Sequence, residues 1–379
     1  MKAGLVLTTI NDPVVLEDYF ENFQSHGRLD DVTAYVIIDR KTPAAAVERM
    51  KVLKQKGFDI QFPDFDAQES FLNSVGMQAE LVPYNSDNRR NIGYLMAYRD
   101  GVDFVISIDD DNFPVAGGDD VFGEHSIVTK GKSEHLTIES NDRFFNICDM
   151  LEFETSGQVY ARGFPYYLRH QTPELTTSKA QADVHINGGH WIFEPDLDAI
   201  SWLVNPPRAT AMKPQSWVLA NSTWSPVNTQ NTGLRRDAIG AYYFVKMGYQ
   251  IGSSSIDRYG DIFSGYFVQA CTKHLGGAVR FGTPVAEHRR NTHNYMKDAH
   301  AEWECIRLLE DLLPWMSEEL KLDGSSYLDA FESLSHQLEH FVSIRTGGAW
   351  SEAAKGYFHS TGFHMREWIK ACRYIDGGS

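Results

Sequence analysis

The chain has 379 residues, 42% of them hydrophobic, enough to bury the core of one large α/β domain or two smaller ones. Its 51 acidic residues against 35 basic ones give a formal net charge of -16, which repels phosphate backbones and anionic membrane surfaces and excludes nucleic acid as an expected partner. Cys148, Cys271, Cys305 and Cys372 form no CxxC pair and no run of about 18 apolar residues occurs, so neither a zinc knuckle, a disulfide framework nor a membrane span is expected, and a reducing cytoplasm fits best.

In chain order, AGLVLTTI (3–10) reads as a first strand rather than a signal peptide, because threonines and then acidic residues cut its apolar run short. A helix over 14–25, the strand VTAYVIID (32–39) and a helix over 44–56 follow, the βαβα rhythm of a parallel sheet covered on both faces. NRRNIGYLMAY (88–98) predicts a further helix, with Ile92, Leu95 and Met96 at helical spacing and Asn88 as its cap. It leads into the strand FVISI (104–108) and the run Asp109, Asp110, Asp111. Residues 119–230 are less regular, with short strand-like runs (HLTIES, HWIF, SWVLA) among Pro, Asn, Thr and Gly, and predict a mixed sheet with long active-site loops. A helix over 261–275 is expected to end at Gly276 and Gly277, with AVRFG (278–282) as a returning strand. From Tyr295 onward, Trp303, Ile306, Leu309, Leu313 and Met316, then Phe331, Leu334, Leu338 and Phe341, recur at helical spacing and predict a helical extension.

Ligands of open α/β sheets bind at the carboxyl ends of the strands, which is where Asp109, Asp110 and Asp111 stand. Closely spaced carboxylates repel one another without a cation, and hard oxygen donors suit Mg²⁺ or Mn²⁺, which takes its other ligands from water and phosphate oxygens. A solvated acidic turn is the alternative, but the strongly apolar strand and the helix carrying Arg89 and Arg90 favour the metal.

RRNIGY, the strand and IDDDN together resemble the glycosyltransferase-A superfamily, and within it the reversibly glycosylated polypeptides, which are UDP-arabinopyranose mutases. Residues 162–169, RGFPYYLR, are similar to that family's arginine motif, and DRYGDIFSGYF (257–267) with KHLGG (273–277) to its later acidic-aromatic segment. VIIDRKTP (36–43) and RRNIGY look closer to a neighbouring group of glycosyltransferase-like proteins that are not mutases. The resemblance implies an α/β glycosyltransferase-A fold, Rossmann-like, with a C-terminal helical extension. Its catalytic domain would cover 1–295, with a nucleotide-binding half (1–118) and a sugar and acceptor half (119–295), and the extension would cover 296–379. It also implies a UDP-sugar site in which Asp109, Asp110 and Asp111 match the acidic motif, Arg162 the reversibly glycosylated arginine and Arg169 its required partner.

Thr8, Thr9 and Asp39 lie just beyond the first two strands, where uracil and ribose would sit, although Asp39 serves equally as a turn residue. Arg89 and Arg90 can donate bidentate bonds to diphosphate or base carbonyls, or one of them is a surface cation at a helix start, where the dipole disfavours it. Arg162 and Arg169 clamp the diphosphate or form a salt-bridged surface feature; Gly163 and Pro165 place them on a loop. His288 is the candidate third metal ligand after Asp109 and Asp111, with His293 as competitor. Asp261 is a helix cap or an acid-base carboxylate. His185, Asn187, Gly188, Gly189, His190 and Trp191 suit sugar hydroxyls and stacking on a pyranose, or form a hairpin turn.

The expected chemistry is metal-assisted cleavage of the anomeric bond of a UDP-sugar, with Mn²⁺ or Mg²⁺. Recapture of the sugar by UDP makes a pyranose-furanose mutase, and capture by a sugar or small-molecule acceptor makes a glycosyltransferase. A non-catalytic sugar-nucleotide sensor or partner of another transferase is the competing class. A homo-oligomer is compatible with all three. A nucleotidyltransferase is disfavoured by the lack of a Gly-rich loop with a following lysine.

Overall fold

The computed structural model describes residues 1–377. The chain opens with β1 (Ala3–Thr9), α1 (Val15–Ser25), β2 (Val32–Ile38), α2 (Ala44–Gln55), β3 (Asp59–Gln61), α3 (Phe65–Ser74), α4 (Arg90–Arg99) and β4 (Phe104–Ile108). It continues through β5 (Asn112–Pro114), α5 (Val121–His125), β6 (Lys132–Ser140), β7 (Leu151–Phe153), β8 (Leu175–Phe193), α6 (Ala199–Val204), β9 (Ala209–Met212), β10 (Trp217–Leu219) and β11 (Asn231–Arg235). A small hairpin, β12 (Tyr249–Ile251) and β13 (Ser254–Ile256), precedes α7 (Gly260–His274), β14 (Ala278–His288), α8 (Tyr295–Pro314), α9 (Tyr327–Ser343) and α10 (Glu352–Ile375).

β1, β2 and β4 are apolar on both faces because helices cover both sides, and they pair in parallel in the order β3-β2-β1-β4. Beyond β4 the sheet turns mixed: β11 runs antiparallel to β4, and β8 antiparallel to β11. The path then runs through β6, β10 and β14 to β5. The sheet is mixed, as expected, and the acidic run stands at the carboxyl end of the last parallel strand, β4. On one face, Leu16, Tyr19 and Phe23 of α1 pack with Leu5 and Leu7 of β1; each large apolar side chain buried this way stabilises by roughly 1.5–3 kcal/mol. On the other face α4 lies so close to β1 that a Cβ at Gly93 would stand 2.7 Å from Val6 Cγ1.

Three expectations are corrected. Asn88 does not cap α4: the Ser86 hydroxyl accepts from Asn88 N at 3.2 Å, while the Asn88 amide donates to the Phe244 carbonyl at 2.6 Å. The irregular middle of the chain holds β8, a 19-residue strand whose polar stretch 185–191 is buried at the centre of the sheet. A strand buried on both faces needs no apolar alternation when its polar groups are paired, and Gly188 is there because the Phe281 ring would lie 2.6 Å from a Cβ. The C-terminal region is helical as expected, and its Leu309, Phe331, Leu338 and Trp368 share one core with Phe263, Phe267 and Leu234. Trp303, read as part of that apolar stripe, is instead 48% exposed.

A buried polar chain ties the mixed strands together. Asn187 Nδ2 lies 3.1 Å from His125 Nδ1, and His125 Nε2 lies 2.9 Å from Asn231 Oδ1. The two contacts assign a neutral imidazole with its proton on Nε2. Asn231 in turn donates to the carbonyls of His190 and Pro284. Among the described residues no helix is long and apolar enough to cross a membrane.

Candidate active site

A cavity of about 670 Å³ opens at the carboxyl ends of β1, β2 and β4, a size that suits a small-molecule ligand. Thr8, Thr9 and Asp39 line one end of it. The Thr9 hydroxyl donates to Asp110 Oδ2 at 2.5 Å, and Asn11 Nδ2 reaches the same oxygen at 3.0 Å. Asp39 is fastened as a turn residue, accepting from Arg40 N at 2.6 Å and Ser86 N at 3.2 Å, while still facing the cleft. The Tyr84 ring forms the adjoining wall, with the guanidiniums of Arg40 and Arg89 at 4.1 Å and 3.9 Å from its centroid.

The three aspartates take different surroundings. Asp109 is ion-paired with the buried Arg90, which also donates to the Ser107 hydroxyl at 3.0 Å and the Ile108 carbonyl at 2.8 Å. Burial pushes the Asp110 carboxyl up, against the bonds from Thr9 and Asn11. Asp111 Oδ2 faces His288 Nε2 at 3.6 Å. Burial works against the Asp111 charge, but the His288 imidazole and the charge of Arg290 hold its carboxyl below the ordinary range. The facing pair is a product of register: β14 runs antiparallel to β5 with His288 opposite Asn112, and Arg289 N donates to the Asp111 carbonyl at 2.9 Å.

Eight aspartates and four arginines line the cleft, so its carboxylates outnumber its guanidiniums by four. A diphosphate would be repelled from such a site unless a cation entered with it. Among the described residues no three His, Cys, Asp or Glu side chains are gathered closely enough to hold a metal ion by themselves. The donor set nevertheless fits Mg²⁺ or Mn²⁺: a carboxylate faces an imidazole at an open cleft, and such ions complete their shells with diphosphate oxygens and water. His293, the competing histidine, also lines the cleft, with its Nδ1 engaged by Asp298 at 2.9 Å.

Arg162 lies deeper, between two carboxylates. Its Nε and Nη2 donate to Asp196 at 2.9 and 3.1 Å, its Nη2 and Nη1 to Asp261 at 2.5 and 3.1 Å, and its Nη1 to the Arg258 carbonyl at 2.6 Å. All five N–H donors of the guanidinium are thereby engaged. Burial opposes the Arg162 charge, yet the two carboxylates raise its pKa well above the usual value. Asp261 is pushed up by burial, whereas Arg162 and a bond from Asn228 hold Asp196 low in spite of burial. Asp261 stands in the first turn of α7 and caps nothing; it belongs to this clamp. Arg258 holds the clamp from outside, in the left-handed region at φ 63°, and pairs with Glu302 of α8 at 3.1 Å.

Other expected site residues stand off the cleft. Arg89 is buried, donating to the Val82 carbonyl and to Gln68, so its role is to support Tyr84. Arg169 pairs with Asp198 at 2.7 Å and lies over Tyr166 at 3.6 Å, one layer behind Arg162. His190 is fully buried within β8, its Nε2 3.2 Å from Met150 Sδ, and burial followed by the charge of Arg280 pushes its pKa down to about 3. His185 bonds Tyr327, Asn187 belongs to the polar chain, and Trp191 is buried, so the stretch 185–191 is sheet core and not a sugar platform. The strand direction that points Asp109 to the cleft also signals Asp196, which stands just past the end of β8 and was missed. Arg290 was missed too, hidden in the run HRRNTHN.

Comparison with known proteins agrees with the motifs. The family model described as "Reversibly glycosylated polypeptide" matches residues 5–376. "Probable UDP-arabinopyranose mutase 2" of Solanum tuberosum is 25% identical over 300 residues, covering 78% of this chain and 74% of its own. "UDP-arabinopyranose mutase 1" of Arabidopsis thaliana is likewise 25% identical over 300 residues, covering 78% and 75%. Among solved structures, glucosyl-3-phosphoglycerate synthase from Mycobacterium tuberculosis with Mn²⁺ and UDP-glucose aligns at TM-score 0.34 and 10% identity, over 84% of this chain and 76% of that one. A mannosyltransferase from Pyrobaculum calidifontis with GDP-Man and Mn²⁺ aligns at TM-score 0.39 and 9% identity, over 98% and 85%. With a match that runs from residue 5 to residue 376, the chain belongs to the reversibly glycosylated polypeptide family.

Proposed function

We propose that this chain is an enzyme that breaks the anomeric C–O bond of a UDP-sugar and returns the sugar to UDP with its ring changed, as a UDP-arabinopyranose mutase does. The observation that carries the reading is the Asp111 and His288 pair, facing each other at 3.6 Å at the carboxyl end of the parallel strands in a cleft rich in carboxylates. Membership of the family and relatives named as UDP-arabinopyranose mutases favour return to UDP over transfer.

In this reading Thr8, Thr9 and Asp39 bind the nucleoside end, with Tyr84 as the adjoining wall. Asp111 and His288 would hold Mn²⁺ or Mg²⁺, whose contribution is to neutralise the charge that develops on the departing UDP. Arg90 fixes Asp109, and Thr9 with Asn11 fixes Asp110, so the acidic run keeps its shape as charge moves. At the far end Arg162 orients Asp196 and Asp261, whose negative field stabilises the oxocarbenium-like sugar once the bond to UDP has opened. The four buried, free cysteines fit a reducing, cytoplasmic setting.

The test is incubation with UDP-arabinopyranose and Mn²⁺, followed by chromatography that resolves the furanose isomer. Formation of UDP-arabinofuranose supports the proposal. Free UDP without the isomer would turn the reading to a transferase, and binding without either product to a sugar-nucleotide sensor. Wild-type turnover that is unaffected by a chelator would refute the metal-assisted mechanism.

A further inference from the structure

Arg162, the arginine that the family motif places at the reacting diphosphate or sugar, has no free donor. Asp196, Asp261 and the Arg258 carbonyl take all of its N–H groups. Both terminal nitrogens of Arg90 are held, by Asp109, the Ser107 hydroxyl and backbone carbonyls, leaving only its Nε unpartnered, and Arg258 is ion-paired with Glu302 and Asp298. Arg290 is different. Its side chain lines the cleft but makes no hydrogen bond or ion pair among the described residues, and its Nε and Nη1 are buried without a partner.

The position of this guanidinium is nonetheless built. Its backbone N–H donates to Glu194 Oε2 at 2.8 Å, which fixes the chain just after His288. Trp202 and Tyr295 stack on each other with an interplanar angle of 10°, and the guanidinium lies over both, 5.1 Å and 5.8 Å from the ring centroids. The preceding residue, Arg289, turns outward to Glu287 at 2.5 Å, so the Arg-Arg pair sends one charge to solvent and one into the cleft. A desolvated guanidinium with empty donors is costly, and an oxyanion supplies what it lacks, two acceptors in the geometry of its fork.

We propose that Arg290 is the diphosphate-binding cation of this site, standing beside Asp111 and His288, and that Arg162 only orients Asp196 and Asp261. The assignment rests on the nucleotide-sugar function proposed for this cleft. Its ligand class is a nucleoside diphosphate, recognised through phosphate oxygens and not through the base.

Calorimetric titration of the full chain in Mn²⁺ with uridine, UMP and UDP tests it. Replacing Arg290 with Gln removes a charge-assisted fork, so UDP affinity should fall about 10- to 100-fold while uridine affinity stays unchanged. Arg290→Lys keeps a charge without the planar fork and should fall between the two, which also provides a milder variant should R290Q fail to fold. If wild type and both variants bind UDP equally, the assignment is wrong while the nucleotide-sugar function stands. If the wild-type protein binds none of the three compounds, both fall together.

Discussion

Replacing Arg162 with Met keeps most of the side-chain volume but leaves Asp196 and Asp261, with side chains only 4% and 8% exposed, facing each other with no cation between them. Breaking a buried ion pair from one side costs about 3–5 kcal/mol, because the partner's charge is left uncompensated, and here two carboxylates are left. The unfolding entropy of a chain this long is about 0.8 kcal/mol/K, so the melting temperature at neutral pH should drop by about 4–6 °C. The pH dependence has a definite sign. In the wild type the lowered pKa of Asp196 contributes stability above the ordinary carboxylate pKa, and that contribution is lost as pH falls through the folded value. In the variant both carboxyls titrate above their unfolded values, so their penalty is present at neutral pH and fades on acidification. The gap between the two proteins should therefore narrow from pH 7.5 to pH 5 in scanning calorimetry. R162M combined with Asp261→Asn, which removes one of the stranded charges, should recover part of the loss. A variant melting within about 1 °C of the wild type at neutral pH would refute the argument that the clamp is a desolvated, mutually dependent unit.

Asp111→Asn and His288→Ala should each abolish the rise in melting temperature that Mn²⁺ with UDP gives the wild type; an undiminished rise in both would remove these residues from the metal site. Burial, followed by the repulsion of Arg280 and opposed by the bond to Asn231, holds the His125 pKa down to about 4. Below pH about 6.5 the unfolded chain takes up a proton that the folded one refuses, so stability should decline by up to about 1.4 kcal/mol per pH unit until the folded pKa is reached. Replacing His125 with Asn should flatten that slope by one proton in denaturant titrations at pH 7 and pH 5, and an identical slope would contradict it. Gly93→Ala, which pushes a methyl into Val6, should cost about 1–3 kcal/mol by separating α4 from β1. Urea midpoints equal to the wild type would show that the helix shifts freely.

What the sequence settled by itself is local. The apolar runs of β1, β2 and β4 and the helices between them were readable because strands buried on both faces leave unbroken apolar stretches, and Asp109 to Asp111 were readable because the carboxyl end of a parallel strand projects the next residues into the cleft. The helical spacing of the C-terminal region was equally legible, as were the arginines of RGFPYYLR as a motif. What only the tertiary structure decided is who meets whom. His288 reaches Asp111 through the register of β14 on β5, although most of the sheet lies between them in the chain. Arg162 is filled by Asp196 and Asp261, far along the chain, so a residue that reads as a free clamp is a closed one. Arg290, one of two adjacent arginines with no local difference, is left open because Trp202 and Tyr295 shelve it inside while Glu287 draws Arg289 out. The stretch 185–191 looked like a polar sugar platform and became the middle of the sheet. His185 and Asn187 find their partners in Tyr327 and His125, and hydrogen bonding across strands is a property that no local window of sequence contains.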